Sequence, residues 1–586
     1  MRSRVRRRRC ALVSALAAAS TALACVALAA CTGTGGSAGT TARPERRPTA
    51  RLAFFTDLHG YLEPCGCQSR PLGGIDRMAK VLADVRRDRV PTLLLAAGDT
   101  LFDTSHLEPA NHQQEKWKAE TLVRIFREMR MTAFTPGPGD LAFGAAELAR
   151  LVGRDGAAVL AANVRAPALQ RLSASTVVPA GDLRIAVVGV TELGELTGPA
   201  AEGVAQEDAV EAARREVARV REAGADIVVV LTHGARRLAR TVASRIEGVD
   251  FVLQAGIYDP TPAVPESSED GAVVIQAGRQ GHGVQIVDVY LDRRAEGPGR
   301  ASRAPRRWTA IGAAARAGRR ATLDERIAEL SRRITEWQAD PNVSRADVAQ
   351  QEARLADLRR ERTELDAPER VPTTGNAFSA RWRELDPDEP RLPAVRSLIA
   401  SYDRRVGEHN LVALRDERAP PVPEGEQGYV GTERCGSCHT QALDVWRRTK
   451  HAQAWETLVD LGKHTNLSCV GCHLVGYRRP GGSTLVHHQN LEDVGCENCH
   501  GPGSRHAEDP TGVRMQREAP ASLCVDCHNS EHSDQFDYRT YLPRILGPGH
   551  GRPMPDGEIV LGQILPDAGA AAAATTADTG STRPPP

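Results

Sequence analysis

Four copies of Cys-x-x-Cys-His lie in the last quarter of the chain: Cys435, Cys438 and His439; Cys469, Cys472 and His473; Cys496, Cys499 and His500; Cys524, Cys527 and His528. This spacing lets both thiols add to the two vinyl groups of one haem while the following histidine reaches its iron as proximal ligand. One such motif reads equally well as half of a zinc site, but four within about a hundred residues point to four c-type haems. Seven further histidines lie past residue 430: His451, His464, His487, His488, His506, His532 and His550. If every iron takes two histidines, the region only relays electrons; an iron lacking its distal histidine could bind a small nitrogen or oxygen compound.

A second set of chemically able residues lies far upstream. Asp57-Leu58-His59, Gly98-Asp99, Asn163 and His233 each follow or end a short apolar run, where α/β folds usually place their sites. Aspartates and histidines so placed could hold one or two divalent metals that activate water and polarise a phosphoryl oxygen. Beside them stands Glu63-Pro64-Cys65-Gly66-Cys67. Cys65 and Cys67 read as replacement ligands for a soft metal, as a redox disulfide, or as an inert structural pair.

Stepping outward, short β-branched or aliphatic runs recur at 52–56, 92–97, 183–190, 226–232, 251–253, 272–277 and 284–290. Helix-length amphipathic stretches such as 75–89 and 204–223 separate most of them. The expectation is an α/β layered sandwich over 51–416. Leu323, Ile327, Leu330, Ile334 and Trp337, then Val348, Leu355, Leu358 and Leu365, form two apolar seams, predicting an inserted helical hairpin at about 322–366. The region 428–555 should be mostly α and irregular, with haem as much of its core.

The N-terminus carries Arg2, Arg4 and Arg6 to Arg9 ahead of an apolar stretch, the order of an export signal over 1–31. It closes on Leu28-Ala29-Ala30-Cys31, which resembles a bacterial lipobox with Cys31 as the lipidated residue; an ordinary cleaved signal is the other reading. Residues 32–50 read as a flexible tether and 567–586 as a disordered tail. A formal net charge of +1 argues against a nucleic acid polymer as partner.

DLHGYLEP, GGIDRMA, AAGDTL, ANV, LTHGA and VVIQAGRQGHGVQIVDVYLD together resemble the metallophosphoesterase domain of secreted 5′-nucleotidases. The resemblance implies a metal site at Asp57, His59, Asp99 and His233 with one Mn, Zn or Fe ion as cofactor; the position of Cys65 and Cys67 beside His59 makes them further candidates. The chain departs from that family at two segments: GNHE is replaced by Gly137-Pro138-Gly139-Asp140, and GHTH by Ala255-Gly256-Ile257-Tyr258. A working two-metal phosphatase is not encoded by these residues. YVGTERCGSCH, KHAQAW, CVGCHLVGY, VGCENCHGPGSRH and CVDCHNSEHSDQFDY resemble the tetrahaem cytochrome c family of nitrifying bacteria. Position in those motifs implies His451, His506, His532 and His550 as distal ligands. Two functions follow as expectations: a lipid-anchored periplasmic or cell-envelope electron carrier serving periplasmic or membrane redox proteins, or a metal-dependent phosphoesterase fused to a redox relay.

Overall fold

The computed structural model describes residues 46–64, 70–153, 156–257, 265–267, 271–293, 306–339, 345–366, 371–529, 532–533 and 536–552. Cys31, Cys65, Cys67, Tyr258, the signal, most of the tether and the tail lie outside the described residues. The described residues belong to one compact unit.

Strand Ala50–Thr56 is buried at every position, so both of its faces need apolar partners. Leu52 and Phe54 point one way and Ala53 and Phe55 the other, as a two-residue period dictates. The strand sits inside an eight-stranded sheet. Its order is Trp308–Ile311, Asn376–Glu384, Gly283–Tyr290, Ala50–Thr56, Thr92–Gly98, Met131–Pro136, Ala158–Leu160 and Leu172–Ser173. A six-stranded sheet runs Glu266–Ser267, Val273–Gln276, Phe251–Ala255, Ile227–His233, Leu183–Thr191 and Ser175–Ala180. Leu52, Phe54, Leu95, Val229, Leu231, Phe251 and Phe378 fill the space between the sheets. Helices Ile75–Val85 and His112–Glu128 cover the first sheet's outer face; Ala209–Glu222 and Arg236–Arg245 cover the second's. The result is the layered α/β sandwich.

Two helix readings are corrected. The stretch from Val204 begins with a short strand, Ala205–Gln206, paired with Val164–Arg165, and the helix starts at Ala209 because Asp208 accepts the Glu211 N–H at 2.8 Å. The stretch from Ile75 leaves α-helical geometry at Val85 for a 3₁₀ turn at Arg86–Asp88. The hairpin comprises Ala313–Ala339 and Arg345–Glu364, with Leu330, Ile334 and Leu355 buried between them. It links two strands, Trp308–Ile311 and Asn376–Glu384, that pair in parallel and so require a crossover.

Past the long helix Pro393–Ala413, regular structure shrinks to helices of four to seven residues and an apolar cluster of Leu458, Leu467, Val470, Leu474 and Leu485. Buried Glu497 ties the third Cys-x-x-Cys-His to the start of this region: its carboxylate accepts N–H groups of Val430 (3.1 Å), Gly431 (2.8 Å) and Gly503 (2.8 Å).

Candidate functional site

Six histidine rings of the C-terminal region stand in three facing pairs. His439 lies 6.3 Å from His506, His500 lies 6.2 Å from His550, and His528 lies 6.1 Å from His451, centroid to centroid. Each pair joins a motif histidine to a distal candidate. Two imidazoles on opposite sides of one metal, each at about 2 Å with a further ~1 Å from nitrogen to ring centre, should stand about 6 Å apart. The pairs therefore fit a haem iron between them.

Hydrogen bonding fixes the tautomers in the same sense. Nδ1 of His473 lies 2.5 Å from the Ala454 carbonyl, that of His500 2.8 Å from Gln516 O, that of His506 2.6 Å from Val513 O and that of His550 2.9 Å from Ile545 O. A proton held on Nδ1 presents Nε2 as the ligand, the usual outer support of a metal-bound imidazole. His487 instead places Nε2 3.1 Å from the Arg415 carbonyl, and His488 pairs through Nδ1 with Glu492 at 3.0 Å and packs on Trp455. His464 also meets Trp455. The Asp103 carboxyl is held below its usual range chiefly by its hydrogen bond to His59, with the charges of Lys118 and His532 adding to it.

None of the eight motif cysteines is joined in a disulfide. Cys496 and Cys435 are electrostatic neighbours, as are Cys472 and Cys527, so the first motif sits beside the third and the second beside the fourth. Burial, followed by the charges of His528 and His473, lowers His451 to about 4. It is therefore neutral, as a ligand must be.

The upstream residues gather at the strand ends. Asp57 and His59 take left-handed backbone conformations (φ 46° and 52°), rare for side chains of any size and commonest at functional sites. Their loop is laced to the next strand's loop by Asp57 N to Ala97 O (3.0 Å) and His59 N to Asp99 O (2.8 Å). Asp140, fully buried, holds that second loop by accepting N–H groups of Thr100 (3.0 Å), Leu101 (2.7 Å) and Gly137 (3.2 Å). His59 Nδ1 meets Asp103 at 3.0 Å, and His233 Nδ1 lies 3.3 Å from Thr191 Oγ1. Asn163 serves the backbone: its amide donates to Thr191 O at 2.7 Å and its carbonyl accepts the Thr191 N–H at 3.0 Å.

The two replaced segments turn main-chain donors toward the surviving carboxylates. Gly256 N–H donates to both oxygens of Asp57 (3.1 and 3.0 Å), and Gly139 N–H to Asp99 Oδ1 (2.6 Å). Burial raises Asp57 to about 7 and Asp99 to about 6, each opposed by His59 and by its glycine N–H. Burial works against protonation of His59, but Asp103, Asp57 and Asp99 overcome it and lift the ring to about 9. Burial and the neighbouring His59 drop His233 to about 4. Main-chain donors thus face the two carboxylates. Among the described residues no group of three or more His, Cys, Asp or Glu side chains is placed to hold a metal ion. The paired histidines of the C-terminal region fit c-type haem.

Sequence reasoning overlooked Asp103, four residues beyond Asp99, and the interdomain residues Gln114, Tyr402 and Asn410. Only the fold brings these to their partners.

These features describe a fusion, in which an α/β domain of 5′-nucleotidase type precedes a cytochrome c domain. Residues 434–501 match the family described as cytochrome c554 and c-prime. Cytochrome c-554 of Nitrosomonas europaea is 35% identical over 128 residues, covering 18% of this chain and 54% of that protein. Human 5′-nucleotidase is 24% identical over 259 residues, covering 41% of this chain and 44% of the other. A solved 5′-nucleotidase precursor from Thermus thermophilus is similar at a TM-score of 0.42 and 18% identity, covering 70% of this chain and 68% of that one. The chain spans about half the length of the curated relatives it matches.

Proposed function

We propose that this chain is a membrane-tethered periplasmic c-type cytochrome carrying four haems, which passes electrons between redox proteins of the periplasm or membrane. Its 5′-nucleotidase-like domain serves docking or sensing. The observation that carries this reading is the set of three facing imidazole pairs at 6.1 to 6.3 Å, each uniting a motif histidine with a downstream or intervening one. The chemistry the haem supplies is one-electron exchange at iron. The chain's own part is to hold a facing pair of imidazoles at three of the irons and to bury the relay. Lipidation at Cys31 supplies the tether, and no helix among the described residues is long and apolar enough to cross a membrane.

Intact mass and absorption of the purified protein test the reading: four covalent haems with low-spin spectra support it, and a haem-free chain ends it. A hydrolase would show turnover of phosphate esters with Mn or Zn supplied, abolished in Asp99→Asn. Cys31→Ser should move the protein from the membrane to the soluble fraction.

A further inference from the structure

The helix that carries the second motif, Leu467–His473, is held at its N-terminus by the upstream domain. Asn466 caps it, accepting the Ser468 N–H at 3.0 Å. Gln114, 2% exposed on helix His112–Glu128, accepts the Leu467 N–H at 3.0 Å and donates to Asn466 Oδ1 (2.7 Å) and Ser468 Oγ (3.1 Å). Asn410 donates to Gln114 Oε1 (3.3 Å) and to the Thr465 carbonyl (2.9 Å). Lys463 closes the arrangement with Asp403 and Glu63, both at 2.7 Å. Two ion pairs and six hydrogen bonds, with one buried amide at their centre, fix both the position and the direction of this short helix.

Tyr402 stands on helix Pro393–Ala413 beside these contacts, 4% exposed. Among the described residues its hydroxyl has no hydrogen-bond partner. A buried hydroxyl left unpaired costs about 1–3 kcal/mol and calls for an explanation. Burial, then Glu115, Asp403 and Cys469, raises this phenol well above its usual range, so it stays a donor. Cys469, the first thiol of the second motif, is thus part of its immediate electrostatic surroundings.

We propose that the upstream domain forms one wall of the second haem's site, with Gln114 positioning the motif and the Tyr402 hydroxyl donating to the haem held by Cys469 and Cys472. The proposal rests on the haem reading above. A donor toward the haem stabilises the reduced, more negative state and so raises the potential. Tyr402 and Gln114 are positioning residues, through which the upstream domain reaches one centre of the relay and leaves the others to the C-terminal region.

The test uses the full-length holoprotein. Tyr402→Phe keeps the ring and its packing, and intact mass establishes that the haem number is unchanged. Potentiometric titration followed by absorption and EPR should show one midpoint moving down and the others staying. The haem that moves should be the one whose spectrum changes in His473→Met. Gln114→Leu should displace the same midpoint. Unchanged midpoints in Tyr402→Phe, or a uniform shift of all of them, overturn the proposal while leaving the electron carrier intact. A chain without haem overturns both.

Discussion

Restoring histidine at the two altered segments should damage the upstream domain rather than repair a metal centre. Gly256 has φ +83°, a conformation that costs an L-residue about 1–2 kcal/mol. A Cβ there would stand 2.9 Å from Gly234 N and 3.1 Å from Gly234 O. These are main-chain atoms that cannot rotate aside, so crowding adds about 1–3 kcal/mol. The expected loss for Gly256→Ala is therefore about 2–5 kcal/mol, before any imidazole is introduced. At Gly139 a Cβ would meet Phe102 O at 2.8 Å and Asp99 Oδ1 at 2.9 Å, pressing on the carboxylate a metal would need. Denaturant unfolding followed by tryptophan fluorescence measures the first effect, and metal analysis of the Gly139→His, Gly256→His protein measures the second. If Gly256→Ala were as stable as the parent, or the double variant bound Mn or Zn stoichiometrically and cleaved a phosphate ester, the reasoning would be wrong.

Alanine at His451, His506 or His550 should each remove one haem's share of the low-spin EPR signal, since each ring faces a different motif histidine; loss of no signal from all three would dismiss the pairing. Glu497→Ala strands three buried N–H donors and should cost the C-terminal region about 3–5 kcal/mol, with Glu497→Gln losing about 1–3 kcal/mol, read from unfolding followed at the Soret band. His233 is lowered from 6.5 to about 4, so the folded chain resists a proton that the unfolded chain accepts. Its contribution is present above 6.5 and lost as pH falls toward 4. Stability of the upstream domain should decline over that window by up to about 3 kcal/mol, and His233→Gln should flatten the decline.

The haem motifs are legible because covalent attachment demands contiguous spacing, which no fold can rearrange. The central strands are legible for a different reason: Ala50–Thr56 and Ile227–His233 are buried on both faces and must be apolar throughout. Met131–Pro136 mixes threonine and proline into its run, and Ser175–Ala180 is an edge strand with exposed positions, so neither stands out. Asp208 was the available signal for the later start of its helix, but the alanine-rich periodicity extends upstream of it and hides the boundary. Asp103, Gln114 and Tyr402 look like ordinary loop and amphipathic-helix residues. Gln114 meets Asn466 across 352 positions, a separation over which local pattern carries no information. The backbone donors of Gly139 and Gly256 are equally invisible, since every residue but proline has an N–H and only the fold gives it a direction.

The contacts between thiols of different motifs bear on the order in which the protein matures. Cys435 with Cys496, and Cys472 with Cys527, are electrostatic neighbours in the compact chain. An oxidising compartment would convert such neighbours into cross-links and consume the sulfurs that haem must claim. If the chain is exported as proposed, haem loading must outrun compaction at the C-terminal end, while the upstream domain, which carries no thiol among its described residues, can fold first as the template against which the second motif closes.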